Sequence, residues 1–278
     1  DIVNEPTAAA FAYGFGRAEG GGTETVLVYD LGGGTFDVTV IELSERKIRV
    51  VTTDGDHELG GADWDGRLAD HLSRRFMEEC PDAEDPLDDS YGAQDLISAA
   101  EEAKQQLTNR ESVDVLVVHA GHRASITVTR DELEQLTASL LTRTVQLTRA
   151  VTKAAEARGV TTIDRVLLVG GSAKMPAVAE RLRSDFGFDP QLADPDLAVA
   201  KGAAIYGQKK EIEQVVIDDL VAQGKLAEGQ GIDEADTADL DSVIGGAAES
   251  YGLPSDVVGE LVGTKVTLGE TQQLVSRL

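Results

Sequence analysis

The stretch that most constrains this chain is Asp30-Leu31-Gly32-Gly33-Gly34-Thr35-Phe36-Asp37. It sits between a continuous apolar run, Thr25 to Leu31, and a run that alternates apolar and polar from Phe36 to Val40. That pattern predicts two strands joined at a glycine corner, with a third strand over Ile48 to Val51, hence a β-meander. Amides in such a corner can point at one spot without side-chain obstruction, which suits phosphate oxygens. Asp30 at the strand end adds a carboxylate able to hold Mg²⁺ through its waters, and Thr35 offers a hydroxyl. Three glycines alone would more often be an ordinary hairpin turn; Asp30 and Thr35 reverse those odds.

A second glycine corner, Gly170-Gly171-Ser172, follows the apolar strand Arg165 to Val169 and precedes a helix that includes Pro176. It has the arrangement in which backbone meets a nucleotide at a helix N-terminus. Between the corners the character changes. A loop over Gly55 to Asp65 leads to helices near Asp65 to Glu79 and Asp95 to Leu107, then to strands Val113 to Val118 and Ala124 to Val128, which reads as an inserted α+β subdomain. Thr129-Arg130-Asp131-Glu132 has capping-box spacing, and Leu133, Leu136, Leu140, Leu147 and Val151 follow at helical intervals, so a long amphipathic helix returns the chain to the first unit. Strand, helix and strand again make the whole α/β. Glu5 opens an alanine-rich helix ended by Gly14, and Asp196 precedes a helix running to about Tyr206; both are placed where a helix dipole favours a carboxylate.

With 25 basic and 50 acidic residues the formal charge is −25, which argues against nucleic acid and anionic membrane as partners. The single Cys80 excludes an internal disulfide, and a reducing cytoplasm is the expected location. The four histidines show no metal-binding spacing. From Lys209 onward five basic and fourteen acidic residues, with glycine breaks, suggest short helices such as Glu211 to Val221 and Thr237 to Ser250 and show no chemistry.

Six segments carry a specific resemblance: NEPTAAAFAYG from Asn4, DLGGGTFDVTV from Asp30, GDHELGGADWD from Gly55, EEAKQQL from Glu101, VLLVGGSAKMP from Val166 and DPDLAVAKGAA from Asp194. In order and approximate spacing they resemble the 70-kilodalton heat-shock chaperones of the DnaK type. The resemblance implies an actin-like (ribonuclease H-like) ATPase fold, with residues 1–57 and 138–208 as the core subdomain of its second lobe, 58–137 as the inserted subdomain and 209–278 as an acidic helical tail of unassigned role. It implies ATP/ADP and Mg²⁺ as cofactors. Glu5 would place the attacking water and the Mg²⁺ shell, Asp30 would bind that shell, and Gly32, Gly33, Gly34 and Thr35 would hold the β- and γ-phosphates. Glu101, Lys104 and Thr108 would reach ribose and adenine; Gly170, Gly171 and Ser172 would line the nucleoside end, and Asp196 would contact the adenosine pocket. Lys174 stands where many members of that family carry an arginine against the adenine face, which gives a point charge in place of a stacking plane, and Gln105 replaces an arginine found in some members.

The function implied is a piece of an ATP-dependent folding chaperone that lacks the first lobe and the peptide-binding domain. Hydrolysis would drive binding and release of unfolded or extended peptides, with J-domain co-chaperones and nucleotide-exchange factors as further partners, and the chain alone would not hydrolyse ATP. A filament-forming actin-like ATPase and a non-hydrolysing nucleotide-responsive module are the alternatives.

Overall fold

The computed structural model describes residues 3, 5–14, 22–44, 47–194 and 197–267. Its centre is a six-stranded mixed sheet in the order β7-β6-β1-β2-β3-β8. Strands β1 (Glu24–Leu31), β2 (Phe36–Ser44) and β3 (Lys47–Asp56) form the expected antiparallel meander, with β2 and β3 longer than their apolar patterns alone indicated. Strand β6 (Arg165–Val169) runs parallel to β1, and β7 (Pro190–Leu192) parallel to β6.

Seven of the eight β1 residues are buried, because helices cover both faces of the sheet. Val26 and Val28 face a cluster with Phe11 of α1 (Glu5–Gly14) and Ala198 of α6 (Ala198–Ala222). Leu27, Tyr29 and Leu31 face the other way, onto Val151 and Ala155 of α4 (Arg130–Ala157) and Val178 and Leu182 of α5 (Pro176–Phe186). The long helix α4 begins as its sequence indicated: the Thr129 hydroxyl accepts from the Glu132 amide at 3.2 Å while Glu132 accepts from the Thr129 amide at 2.8 Å.

A separate core lies between α2 (Gly61–Glu79), α3 (Ser90–Leu107) and the hairpin of β4 (Ser112–His119) and β5 (His122–Thr129). Val113, Val115 and Val117 alternate with exposed residues on β4, so one face of the hairpin is dry and the other wet. Both helices start earlier than expected, α2 by four residues and α3 by five. For α3 the reason is Asp89, whose side chain accepts from the Gly92 amide at 2.9 Å and caps the helix ahead of its apolar pattern.

The largest departures lie towards the C-terminus. The helix expected to end at Tyr206 continues unbroken to Ala222 as α6, so the expected boundary at 208 falls inside a helix and Glu211 to Val221 is no separate element. Ile212, Val216 and Leu220 repeat every fourth residue along it and are fully buried against α7 (Thr237–Tyr251) and α8 (Ser255–Gly263). Strand β8 (Lys265–Thr267), which no sequence pattern indicated, pairs parallel to β3 and closes that edge of the sheet.

Candidate functional site

The first glycine corner closes the β1–β2 hairpin, where Leu31 pairs with Phe36 and the Gly32 amide donates to the Thr35 carbonyl at 3.0 Å. Helix α2 begins against this corner. The Gly61 amide donates to the Gly32 carbonyl at 2.9 Å and the Ala62 amide to the Gly33 carbonyl at 2.7 Å, so the turn satisfies two of the amides that a helix start leaves open. Gly33, Gly34 and Thr35 stay exposed, and a side chain added at Gly33 or Gly34 would meet nothing within 4 Å. The corner therefore offers open backbone on the side away from α2.

The second corner lies beside the first because β6 runs parallel to β1, with Asp30 opposite Val169. Gly170 has φ 83°, a left-handed conformation that favours glycine, and a Cβ there would stand 2.3 Å from the Leu31 carbonyl oxygen and 2.7 Å from Asp30 Oδ1. Gly61 bridges the two corners: its Cβ position is 2.3 Å from Ser172 Oγ, 3.0 Å from Lys104 Nζ and 3.5 Å from the Gly32 carbonyl. Downstream, the expected strand-to-helix step is interrupted by a 3-10 turn, Gly171–Lys174, and α5 starts only at Pro176. The Gly171 and Ser172 amides thus belong to a short turn and not to the first turn of α5.

A cleft of about 710 Å³ opens where these elements meet. Gly33, Gly171, Ser172 and Lys174 line it together with Glu101 and Lys104 of α3 and Thr108 at the helix's C-terminal cap, each of these three about one turn from the next. Gln105, at the expected substitution site, also lines it. Asp30, Gly32, Gly34, Thr35 and Gly170 do not line the cleft itself and adjoin it through the contacts of the two corners, and Glu5, at the start of α1, does not line it either. Asp196 lies outside the described residues.

Two carboxylates, Asp30 and Asp37, meet at the strand ends, and Glu5 at the start of α1 is near enough for its charge to act on both. Asp30 pairs directly with Asp37 across the hairpin, an unfavourable placement of like charges. Burial first, then the charges of Glu5 and Asp37, push the Asp30 carboxyl up to about 6. Burial, and after it Glu5, also raises Asp37, with His57 opposing. A divalent cation would relieve this repulsion, so the donor set fits Mg²⁺ in chemistry. Among the described residues no three carboxylate, imidazole or thiol groups converge closely enough to ligate a bare metal.

Lys104 is the expected residue whose surroundings differ most from a simple cleft-wall cation. It is buried, and its Nζ donates to the Gly61 carbonyl at 3.0 Å and to Asp65 Oδ2 at 2.9 Å. Asp65, Gly61 and Asp37 are not among the site residues that the sequence indicates. Asp37 could have been found as the mirror of Asp30 across the glycines. The role of Gly61 depends on Ser172, 111 positions away, and no local pattern carries it.

This is a mixed α/β protein in which two glycine corners and an inserted α/β unit share one cleft. The family model described as "Hsp70 protein" matches residues 1–231. The "Chaperone protein DnaK" of Burkholderia cepacia is 41% identical over 218 residues, covering 74% of this chain and 33% of that protein. The chain belongs to the Hsp70 family, whose fold is that of the actin-like ATPases. It spans about a third of the length of the curated relative it matches. Among the described residues no helix is long and apolar enough to cross a membrane.

Proposed function

We propose that this chain is the second lobe of a chaperone ATPase and holds Mg-ATP or Mg-ADP in the cleft between the glycine corners and α3. The observation that carries the reading is the junction at Gly61, which draws the Gly32 turn, Ser172 and Lys104 around one cleft. The core and inserted subdomains divide near residues 57 and 138, a division supported by their largely separate apolar cores, with Leu59 and Trp64 joining the core cluster and α6 carrying the core unit past 208 to Ala222.

In this reading the exposed amides of the Gly32–Thr35 turn and the Thr35 hydroxyl bind phosphate oxygens. Asp30, with Glu5 acting through water, holds Mg²⁺, which when bound neutralises phosphate charge. Glu101, Lys104 and Thr108 reach ribose and adenine, Gly170, Gly171, Ser172 and Lys174 line the nucleoside end, and Asp196 contacts the adenosine pocket. In the whole protein, hydrolysis changes the angle between lobes and so drives binding and release of extended peptides, regulated by J-domain and nucleotide-exchange partners in the cytoplasm.

Catalysis is mostly positioning and charge stabilisation, which needs donors on both sides of the phosphoryl group. Binding and turnover therefore separate in this chain. Calorimetric titration with ADP should show binding that requires Mg²⁺, while phosphate release from ATP stays near background. Turnover equal to that of a full-length family member would contradict the account of catalysis, and saturating ADP without any heat or competition would contradict the site.

A further inference from the structure

We propose that Asp65 is a positioning residue for the cleft: acting through Lys104, it holds α3 against the α2 start that caps the glycine turn. The proposal rests on the cleft being a nucleotide site. Asp65 and Lys104 are 6% and 7% exposed, and the ammonium lies 2.8 and 2.9 Å from the two carboxylate oxygens. Neither charge would tolerate that burial alone.

Stability is a weak reason for such a pair, because buried ion pairs are often replaced by apolar side chains at no loss. What the pair accomplishes is a connection. Lys104 Nζ ties Asp65 and the Gly61 carbonyl of α2 to α3, and the Gly61 amide in turn holds the Gly32 carbonyl of the turn. One ammonium thus links the glycine corner to the wall that carries Glu101 and Thr108. An ammonium has three donors. Gly61 and Asp65 Oδ2 accept from two, so Asp65 sets where the ammonium sits while Lys104 itself lines the cleft. Asp65 Oδ1 is buried and lies 2.8 Å from the same ammonium, so both carboxylate oxygens face Lys104, on a residue that itself borders the cleft.

The test uses the 278-residue chain as wild type, Asp65→Asn, Lys104→Met and the double variant, with the Kd for Mg-ADP read by calorimetry and the melting temperature read without nucleotide. Each single change should weaken Mg-ADP about tenfold, as expected for one hydrogen bond to a charged group. The double variant should bind no more weakly than Lys104→Met, because Asp65 acts through Lys104, and should melt above Asp65→Asn, because no charge is left buried alone. An Asp65→Asn Kd within twofold of wild type, or a double variant weaker by the product of the single losses, would overturn the proposal. If Asp65→Asn fails to fold, the comparison of the double variant with Lys104→Met decides alone: equal Kd values support the positioning role, and a further tenfold loss refutes it. A wild-type chain that does not bind Mg-ADP overturns the reading of the cleft as well, whereas wild-type binding with an unaffected Asp65→Asn overturns the positioning role only.

Discussion

Asp30 shows at the level of one side chain how this site opposes the stability of the fold. Its carboxyl is raised from the ordinary 3.8 to about 6, chiefly by burial. Between about pH 4 and pH 6 the native chain therefore keeps a proton that the unfolded chain has lost, and this group's contribution to stability falls as pH rises through that window. Above it the buried charge is a constant penalty, on the order of 2–3 kcal/mol for a shift of roughly two units. Asp30→Asn should accordingly raise stability at pH 8, leave it little changed at pH 4, and abolish Mg²⁺-dependent nucleotide binding. Urea denaturation of both proteins at the two pH values checks this, and a variant less stable than wild type at pH 8 would refute it. Gly170→Ala should behave oppositely, losing about 2 kcal/mol or more, since the left-handed φ and the Leu31 carbonyl both reject a Cβ. Asp30, Thr35 and the glycines could be read from sequence because their chemistry is local to one turn. Asp65 could not, since its partner Lys104 is 39 positions away and nothing in α2 alone distinguishes it from a solvated acid.

Among the elements, α6 carries most of what the sequence did not disclose. Gly207 near its middle reads as a stop, yet a side chain there would meet nothing within 4 Å, and the following Ile212, Val216 and Leu220 keep the helix going by burial against α7 and α8. Burial between distant elements outweighed the local breaker. Gly202 in the same helix has a different reason to be glycine: a Cβ there would fall 1.6 Å from the Ala8 carbonyl oxygen, so α6 and α1 touch backbone to backbone. Gly202→Ala should push the helices apart and cost about 1–3 kcal/mol or more. Gly66 in α2, helical and with open space at its Cβ position, provides the contrast. Gly66→Ala should stabilise by about 0.5–1 kcal/mol through helix propensity. Thermal melts of the two alanine variants should move in opposite directions; a shared direction would contradict the packing described for α6. Strand β8 escaped notice for a related reason, since three residues make no pattern and their conformation depends on the free edge of β3.

For the whole molecule, α6 and β8 make the C-terminal helices part of the body that holds the site. Ile205 packs against both the sheet cluster and the α7–α8 cluster, so the two cores share one helix. Unfolding in urea should follow a single transition, and a chain ended after Ala222 should unfold at lower urea, because Ile212, Val216 and Leu220 lose their cover. Two separated transitions in the intact chain would show the C-terminal helices to be independent. The central claim concerns where nucleotide sits, and amide hydrogen exchange with and without saturating Mg-ADP measures that directly. Exchange should slow at Gly33, Gly34, Thr35, Gly171 and Ser172 and stay unchanged across α7 and α8. Protection confined to α7 and α8, or unchanged exchange at both glycine corners under saturation, would contradict the account.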